Sequence, residues 1–472
     1  MARLDSIFIV YPRSGTTIVQ FGLQDEVFNL PALEIPTVVY QGTDDEGNVQ
    51  YRSSASTSSS GANDTDSKPL KEVRPIVDGE IVDLEAFLYF LKLIYISILA
   101  DKHKNDPDAF DRELSNVPLL LISHYKWSAQ QIEKINQHVF EILKLNSFLM
   151  LPTSLAATHA MAALQNSIVI DIGKTHTDIL PIVDYSQLTH FSSTIPIGGN
   201  DINTHLKSIL PSLSDDQIED LKLSNIYEVL NAEAKKNYAD LHQADEDEDD
   251  SAIDVAAIIT SGRDAREILE GERKNKNENS LPNSELDKNS FVDRNGQLIS
   301  VGKQRFQGCE NLIKAISKRV GYTISMVQDI NKQKAMWENI VIVGNTSLLT
   351  GFQDSLLTKL MDDNLVIEPQ SEQDKRQQDA MDSAATSSKK KSKYMGTNFV
   401  PTIEYQQVPT SIKLAKAPEY FPEWKKNKYA NIVFLGGMIV ARQVFTHSKV
   451  NFFINRDNYN ENGPASYWDI NL

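Results

Sequence analysis

Apolar and polar positions along the chain fall into two alternating periods. Residues 6–10, followed by a polar turn and the apolar run at 19–23, predict a β-hairpin. Asp83 precedes a helical stretch as an N-cap, Glu85 suits its first turn, and FLYFLKLIYISILA is apolar nearly all round, as expected for a buried helix. A strand is expected at 118–123. A helix at about 128–143 should place Ile132, Ile135, Val139, Ile142 and Leu143 on one face. Helix at 154–164, strand at 167–172, helix at 201–209 and strand at 340–343 continue the alternation, which is the pattern of an α/β protein.

Polar segments interrupt it. Residues 42–68 include RSSASTSSSGANDTDS, too poor in apolar surface to offset the entropy of ordering, and read as a loop. Residues 245–250 (DEDEDD), 271–290 and 368–393, the last ending in KKKSK, read as solvated insertions. The chain has 472 residues and a formal net charge of −17. That charge argues against a general nucleic-acid binder, because phosphate neutralisation needs clustered Lys and Arg. The single cysteine, Cys309, excludes an internal disulfide and thiolate-cluster zinc sites, and fits a reducing compartment. The longest apolar segment is too short to span a bilayer, so neither secretion nor membrane anchoring is expected.

The candidate chemistry lies at strand ends. In SIVIDIGKTHTDILPI a strand delivers Asp171 and Gly173 into a turn, followed at once by Lys174. In ENIVIVGNTSLLTGF a strand empties into Gly344-Asn345-Thr346 ahead of a helix, where backbone N–H groups could meet an anion. NIVFLGGMIVARQVF reads as a strand, then Gly436-Gly437, then helix. The stretch from Lys174 to Asp178 carries one histidine, His176, with no second ligand at a recognised spacing, so no metal site is expected there. No Ser-His-Asp or Cys-His signature stands out.

In order along the chain, RPIVDGEIVDLEAFLYFL, PLLLISHYKWSAQQIEKI, VGKQRFQGCENLI, FLGGMIV and NYNENGP resemble segments of actin. The chain thus resembles the actin superfamily, as an actin-related protein rather than actin. The resemblance implies two α/β halves around a central cleft, each with a smaller subdomain and polar insertions. The implied subdomain 1 comprises residues 1–38, 74–160 and 431–472, and subdomain 2 residues 39–73. Subdomain 3 takes 161–197 and 313–430, and subdomain 4 takes 198–312.

Departures from the family carry the functional reading. Where actin-like ATPases have Asp-x-Gly-Ser-Gly and a lysine soon after, this chain has Tyr11-Pro12-Arg13-Ser14-Gly15, with Ile18 in the lysine's place. Pro12 has no N–H to donate, and Arg13 stands where glycine lets backbone approach phosphate. Asp171 and Gly173 match the second loop, but Lys174 replaces its second aspartate; Thr153 stands near the place of the water-positioning glutamine; Gly344-Asn345-Thr346 replaces Gly-Gly-Thr. Ser14, Gly15, Asp171, Gly173, Lys174, Gly344 and Thr346 are therefore read as a degenerate nucleotide cleft, without functional cofactor, metal or catalytic residues. Lys174 has three open readings: paired with Asp171 at a lost metal position, binding phosphate directly with Arg13, or pointing to solvent.

Further likeness to the actin-related proteins of SWI/SNF and RSC type remodellers rests on YPRSG, YFPEWKK and the placing of the insertions. It implies a nuclear, non-catalytic scaffold that pairs with actin-related protein 7 and binds the helicase-SANT-associated helix of the motor ATPase, alongside other remodeller subunits. No direct DNA contact and no membrane contact are expected. His159, Val440 and Phe445 are the candidate lining of the partner groove. The alternatives are an ATPase rebuilt around Arg13 and Lys174, and a histone-binding module using residues 245–250.

Overall fold

A computed structural model describes residues 3–24, 28–31, 33–43, 48–54, 70–100, 113–230, 282–366, 408–446 and 452–470. The acidic run at 245–250, KKKSK at 389–393 and the Ser-rich stretch at 55–69 lie outside the described residues.

The N-terminal run forms the expected hairpin: β1 (Phe8–Pro12) pairs antiparallel with β2 (Thr16–Phe21), and β3 (Leu33–Pro36) joins the other edge of β2. The strands β4 (Val39–Thr43), β5 (Val49–Arg52) and β6 (Lys71–Val73) make a small separate sheet. The segment expected to be a loop from residue 42 is thus partly strand, since Val49 to Arg52 can pair along β4 whatever their exposure. Two short strands, β7 (Ile76–Val77) and β8 (Glu80–Ile81), hold Asp78 and Gly79 in their turn, both at positive φ. Asp83 accepts the Ala86 N–H at 2.9 Å and caps α1 (Leu84–Ala100), whose Phe87, Phe90, Leu91 and Tyr95 are buried.

Next, β9 (Leu119–Ser123) lies parallel to β1, and a Ser128/Gln131 capping box opens α2 (Ala129–Gln137). The predicted single helix changes character after Gln137: residues His138–Ile142 form a π-helical turn. That wider turn slips the phase of the apolar face, so Val139, Phe140 and Leu143 are buried while Ile142, expected to be inside, is exposed. After it come β10 (Ser147–Pro152), parallel to β9, and α3 (Thr153–Ala160).

The second half repeats the theme. A hairpin of β11 (Ser167–Ile172) and β12 (Thr177–Val183) is extended by β13 (Ser186–Gln187) and β14 (Ser193–Ile195). Then follow α4 (Gly199–Ile209), α5 (Asp215–Leu223), the hairpin β15 (Asn289–Val292) and β16 (Leu298–Val301), α6 (Glu310–Ser325) and α7 (Ile330–Glu338). The strand β17 (Ile340–Val343) runs parallel to β11, as β9 does to β1, and leads towards α8 (Phe352–Asn364). The chain returns to the first half through α9 (Pro422–Lys426), α10 (Ile432–Thr446), β18 (Ile454–Asn455), which pairs with β10, and α11 (Arg456–Asn462).

The helices α3 and α10 fill the space between the two sheets, in a core that joins Ile9 and Leu120 of one sheet to Val169 and Val341 of the other. The segment read as strand, glycines and helix is helical throughout, from Ile432 to Thr446. A Cβ on Gly436 would lie 1.7 Å from the Ala156 carbonyl oxygen, and one on Gly437 would lie 2.7 Å from Ile122 Cδ1. The two glycines therefore permit close helix packing rather than an anion-binding turn.

Candidate functional site

Strand ends from both sheets meet at one cleft. The β1–β2 turn brings Arg13, Ser14 and Gly15, the β11–β12 turn brings Gly173 to His176, and the end of β17 brings Gly344 to Thr346. The cavity measures about 460 Å³, and all seven residues read as nucleotide-cleft positions line it, as does Thr153. None of His159, Val440 and Phe445 does.

In the first loop the polar groups are already engaged. The Arg13 guanidinium reaches Glu34 Oε1 at 2.5 Å and Thr16 Oγ1 at 2.9 Å, both on its own sheet. Ser14 Oγ accepts the Gly79 N–H at 3.2 Å. The surviving Gly15 has an ordinary φ and open space where a Cβ would stand.

The second and third loops are knitted to each other. The Gly173 carbonyl oxygen accepts from the Gly199 N–H and from Thr346 Oγ1, each at 3.0 Å. Gly344 has φ +93, and a Cβ there would collide with the Ile172 carbonyl oxygen at 2.4 Å. The Asp171 side chain lines the cleft and makes no hydrogen bond to any described residue. Burial, then the nearby Asp178 carboxylate, push its pKa up, opposed by His124, His176 and Arg13. Burial, with Asp171 close by, likewise raises the Tyr11 phenol.

Lys174 is exposed, and among the described residues it forms no ion pair. Its charge acts on Glu219, which also bonds Lys222 at 2.8 Å and Asn203 at 2.6 Å. The pairing of Lys174 with Asp171 is therefore not the arrangement found. The turn ends in an exposed position, its backbone held by the Asn200 N–H on the Lys174 carbonyl oxygen at 2.7 Å. Arg13, engaged with Glu34, is likewise not free to pair with it in holding phosphate.

The group that sequence spacing missed centres on Asp178, which lies opposite Asp171 in the β11–β12 register and is 1% exposed. Its Oδ2 is 3.1 Å from Nε2 of His176 and 3.1 Å from Nε2 of His124, 54 residues earlier in the chain. Its Oδ1 accepts from Tyr125 OH at 3.2 Å and from Thr194 Oγ1, and Lys126 Nζ stands 3.9 Å away. Burial alone would raise the Asp178 pKa, but the hydrogen bonds from His124 and His176 outweigh it and hold the carboxyl far below its usual range. A second histidine for His176 thus exists, supplied by the residue that follows β9 rather than by a local motif.

These contacts cross the cleft. His124 and Tyr125 follow β9 of the first sheet, whereas His176, Asp178 and Thr194 belong to the second. A further bond, from Thr175 Oγ1 to Asp78 Oδ1 at 2.5 Å, joins the turns of the two halves.

The actin family model matches residues 14–400. The chain belongs to the actin family. It is 27% identical over 436 residues to a Schizosaccharomyces pombe protein described as the SWI/SNF and RSC complexes subunit arp9, covering 84% of this chain and 78% of that one. The family relation implies a magnesium nucleotide in the cleft, and the donor set does not fit one: Pro12 lacks an N–H, Arg13 and Ser14 are engaged within the protein, and Thr346 Oγ1 bonds Gly173.

The partner-groove candidates divide. His159 is half-buried on α3, with Nδ1 2.8 Å from the Leu155 carbonyl oxygen, and burial lowers its pKa. Val440 and Phe445 are 2% and 3% exposed, inside the core between the sheets. They are packing residues, not the lining of an open groove, because α10 turns that face onto its neighbours.

Proposed function

We propose that this chain is a non-catalytic, actin-related scaffold subunit of a chromatin-remodelling complex of the SWI/SNF and RSC type, acting in the nucleus. The observation that carries the reading is the set of side-chain bonds across the cleft, from His124 and Tyr125 to Asp178 and from Thr175 to Asp78. In this chain the halves meet through their own residues. The arp9 relative, named as a remodeller subunit, supports the same assignment. Loss of a single charge-stabilising donor commonly costs an enzyme about 100- to 1,000-fold in rate, and here several such positions differ together.

The finer reading is a heterodimer with actin-related protein 7 that binds the helicase-SANT-associated helix of the motor ATPase, in a helix-in-groove mode, next to other remodeller subunits. The four-subdomain division at the boundaries given above belongs to the same proposal.

Equilibrium binding of labelled ATP, with and without Mg²⁺, tests it. No magnesium-dependent binding is expected for the parent chain. None is expected for Lys174→Asp either, since Lys174 is exposed rather than seated against Asp171. Tight magnesium-dependent binding would turn the reading to an ATPase with rebuilt loops.

A further inference from the structure

We propose that His124, His176 and Asp178 form a site for a divalent transition-metal ion of the zinc class, bridging the two halves of the molecule. The donor atoms are Nε2 of each histidine and Oδ2 of Asp178, all within 4.8 Å of one another. Each histidine nitrogen is 3.1 Å from the carboxylate oxygen. Tetrahedral zinc, with ligands at about 2.0–2.2 Å, sets its donors about 3.3 Å apart, close to both histidine-to-carboxylate distances. The side chains are 14%, 15% and 2% exposed, secluded but bordering the cleft, where a water or an exogenous group could complete the coordination.

Proton placement points the same way. Thr175 gives its hydroxyl hydrogen to Asp78 at 2.5 Å, so its oxygen accepts the Nδ1–H of His176 at 3.0 Å. With that proton on Nδ1, Nε2 of His176 faces Asp178 Oδ2 at 3.1 Å. The nitrogen that hydrogen-bonds Asp178 in the metal-free protein is the atom that would ligate an ion in the proton's place. The Thr175 and Asp78 contacts are also the outer support that fixes a ligating imidazole, and Tyr125 and Thr194 fix the carboxylate through Oδ1.

Two features oppose the ion and set its limits. Lys126 Nζ stands 3.9 Å from Asp178 Oδ1, and the Lys126 N–H reaches Nδ1 of His124 at 3.3 Å. The second contact places the metal-free proton of His124 on Nε2; loading moves it to Nδ1 and gives up that long bond. Two imidazoles and one carboxylate favour zinc, copper, nickel or iron over magnesium, which prefers oxygen and water. The site is therefore distinct in chemistry from one for a magnesium nucleotide.

The experiment uses the full chain, stripped with chelator, then loaded with Zn²⁺ alone and separately with Co²⁺ as an absorbing probe. One retained zinc per chain after gel filtration is expected, unaffected by excess Mg²⁺, with a cobalt absorption band of low-symmetry tetrahedral or five-coordinate type. Asp178→Asn, which keeps the size of the side chain, should weaken zinc about 10- to 100-fold, and the His124→Gln, His176→Gln pair should abolish the stoichiometric uptake. Circular dichroism and melting curves establish that each variant is folded. Absence of stoichiometric zinc in the folded parent, or equal uptake by parent and double variant, overturns the proposal and leaves a proton-filled hydrogen-bond network.

Discussion

Asp171 and Asp178 face each other across neighbouring antiparallel strands, yet only Asp178 is neutralised by partners. Two histidines, a tyrosine and a threonine converge on it, while the Asp171 carboxyl at the cleft has no hydrogen bond among the described residues. Asp178→Ala removes the shared acceptor and strands those donors. A loss of about 3 kcal/mol in unfolding free energy is expected, measured by denaturant titration, with Asp178→Asn losing about half as much. If Asp178→Ala proves neutral, the network does not hold the halves together.

Two glycines with opposite surroundings make a matched pair. Gly436→Ala drives a methyl into the Ala156 backbone, which no rotamer change relieves, and should cost more than about 3 kcal/mol or leave the protein insoluble. Gly15→Ala meets open space at an ordinary φ and should fall within about 0.5 kcal/mol of the parent. Thermal melts of the two variants compare them directly.

His138 supplies a pH dependence. Desolvation, then the charge of Lys92, lower its pKa from 6.5 to about 4, and its Nε2 has no hydrogen-bond partner among the described residues. The unfolded chain takes up a proton near pH 6.5, whereas the folded chain resists it until about pH 4. Stability is thus unaffected by His138 above about pH 6.5 and declines as pH falls from there towards 4. His138→Gln should flatten that part of a melting temperature against pH profile; an unchanged slope would show that other groups set it.

Substitution within α10 separates packing from partner contact. Val440→Asp and Phe445→Asp bury an unpaired charge and should cost at least about 3 kcal/mol, abolishing soluble expression before any binding can be read. His159→Asp, at a half-buried position, should leave a folded chain, and if the proposed partner is right its affinity for the motor helix, read by co-purification or calorimetry, should fall.

Local pattern was enough for β1, β9, β11 and β17, because short apolar runs ending in turn residues have few other readings. It misled at Gly436-Gly437, since a buried apolar helix and a buried strand share composition, and only the facing Ala156 carbonyl and Ile122 side chain explain the glycines. The phase slip that exposes Ile142 came from a π-helical turn with no residue to announce it. The loops of the cleft were legible residue by residue, but the His124 to Asp178 contact was not: its partners sit 54 residues apart and meet only when β9 and β12 take their places in different sheets. Lys174 could be read for its charge, not for its direction.

The bonds from Asp78, His124 and Tyr125 to the opposite half have a consequence for the cell's energy state. In a protein whose halves are clamped by a bound nucleotide, shape follows the supply and turnover of that nucleotide. Here side chains of the polypeptide itself bridge the halves. On the proposed function, a neighbour resting on both halves would meet a surface that does not follow the supply of nucleotide.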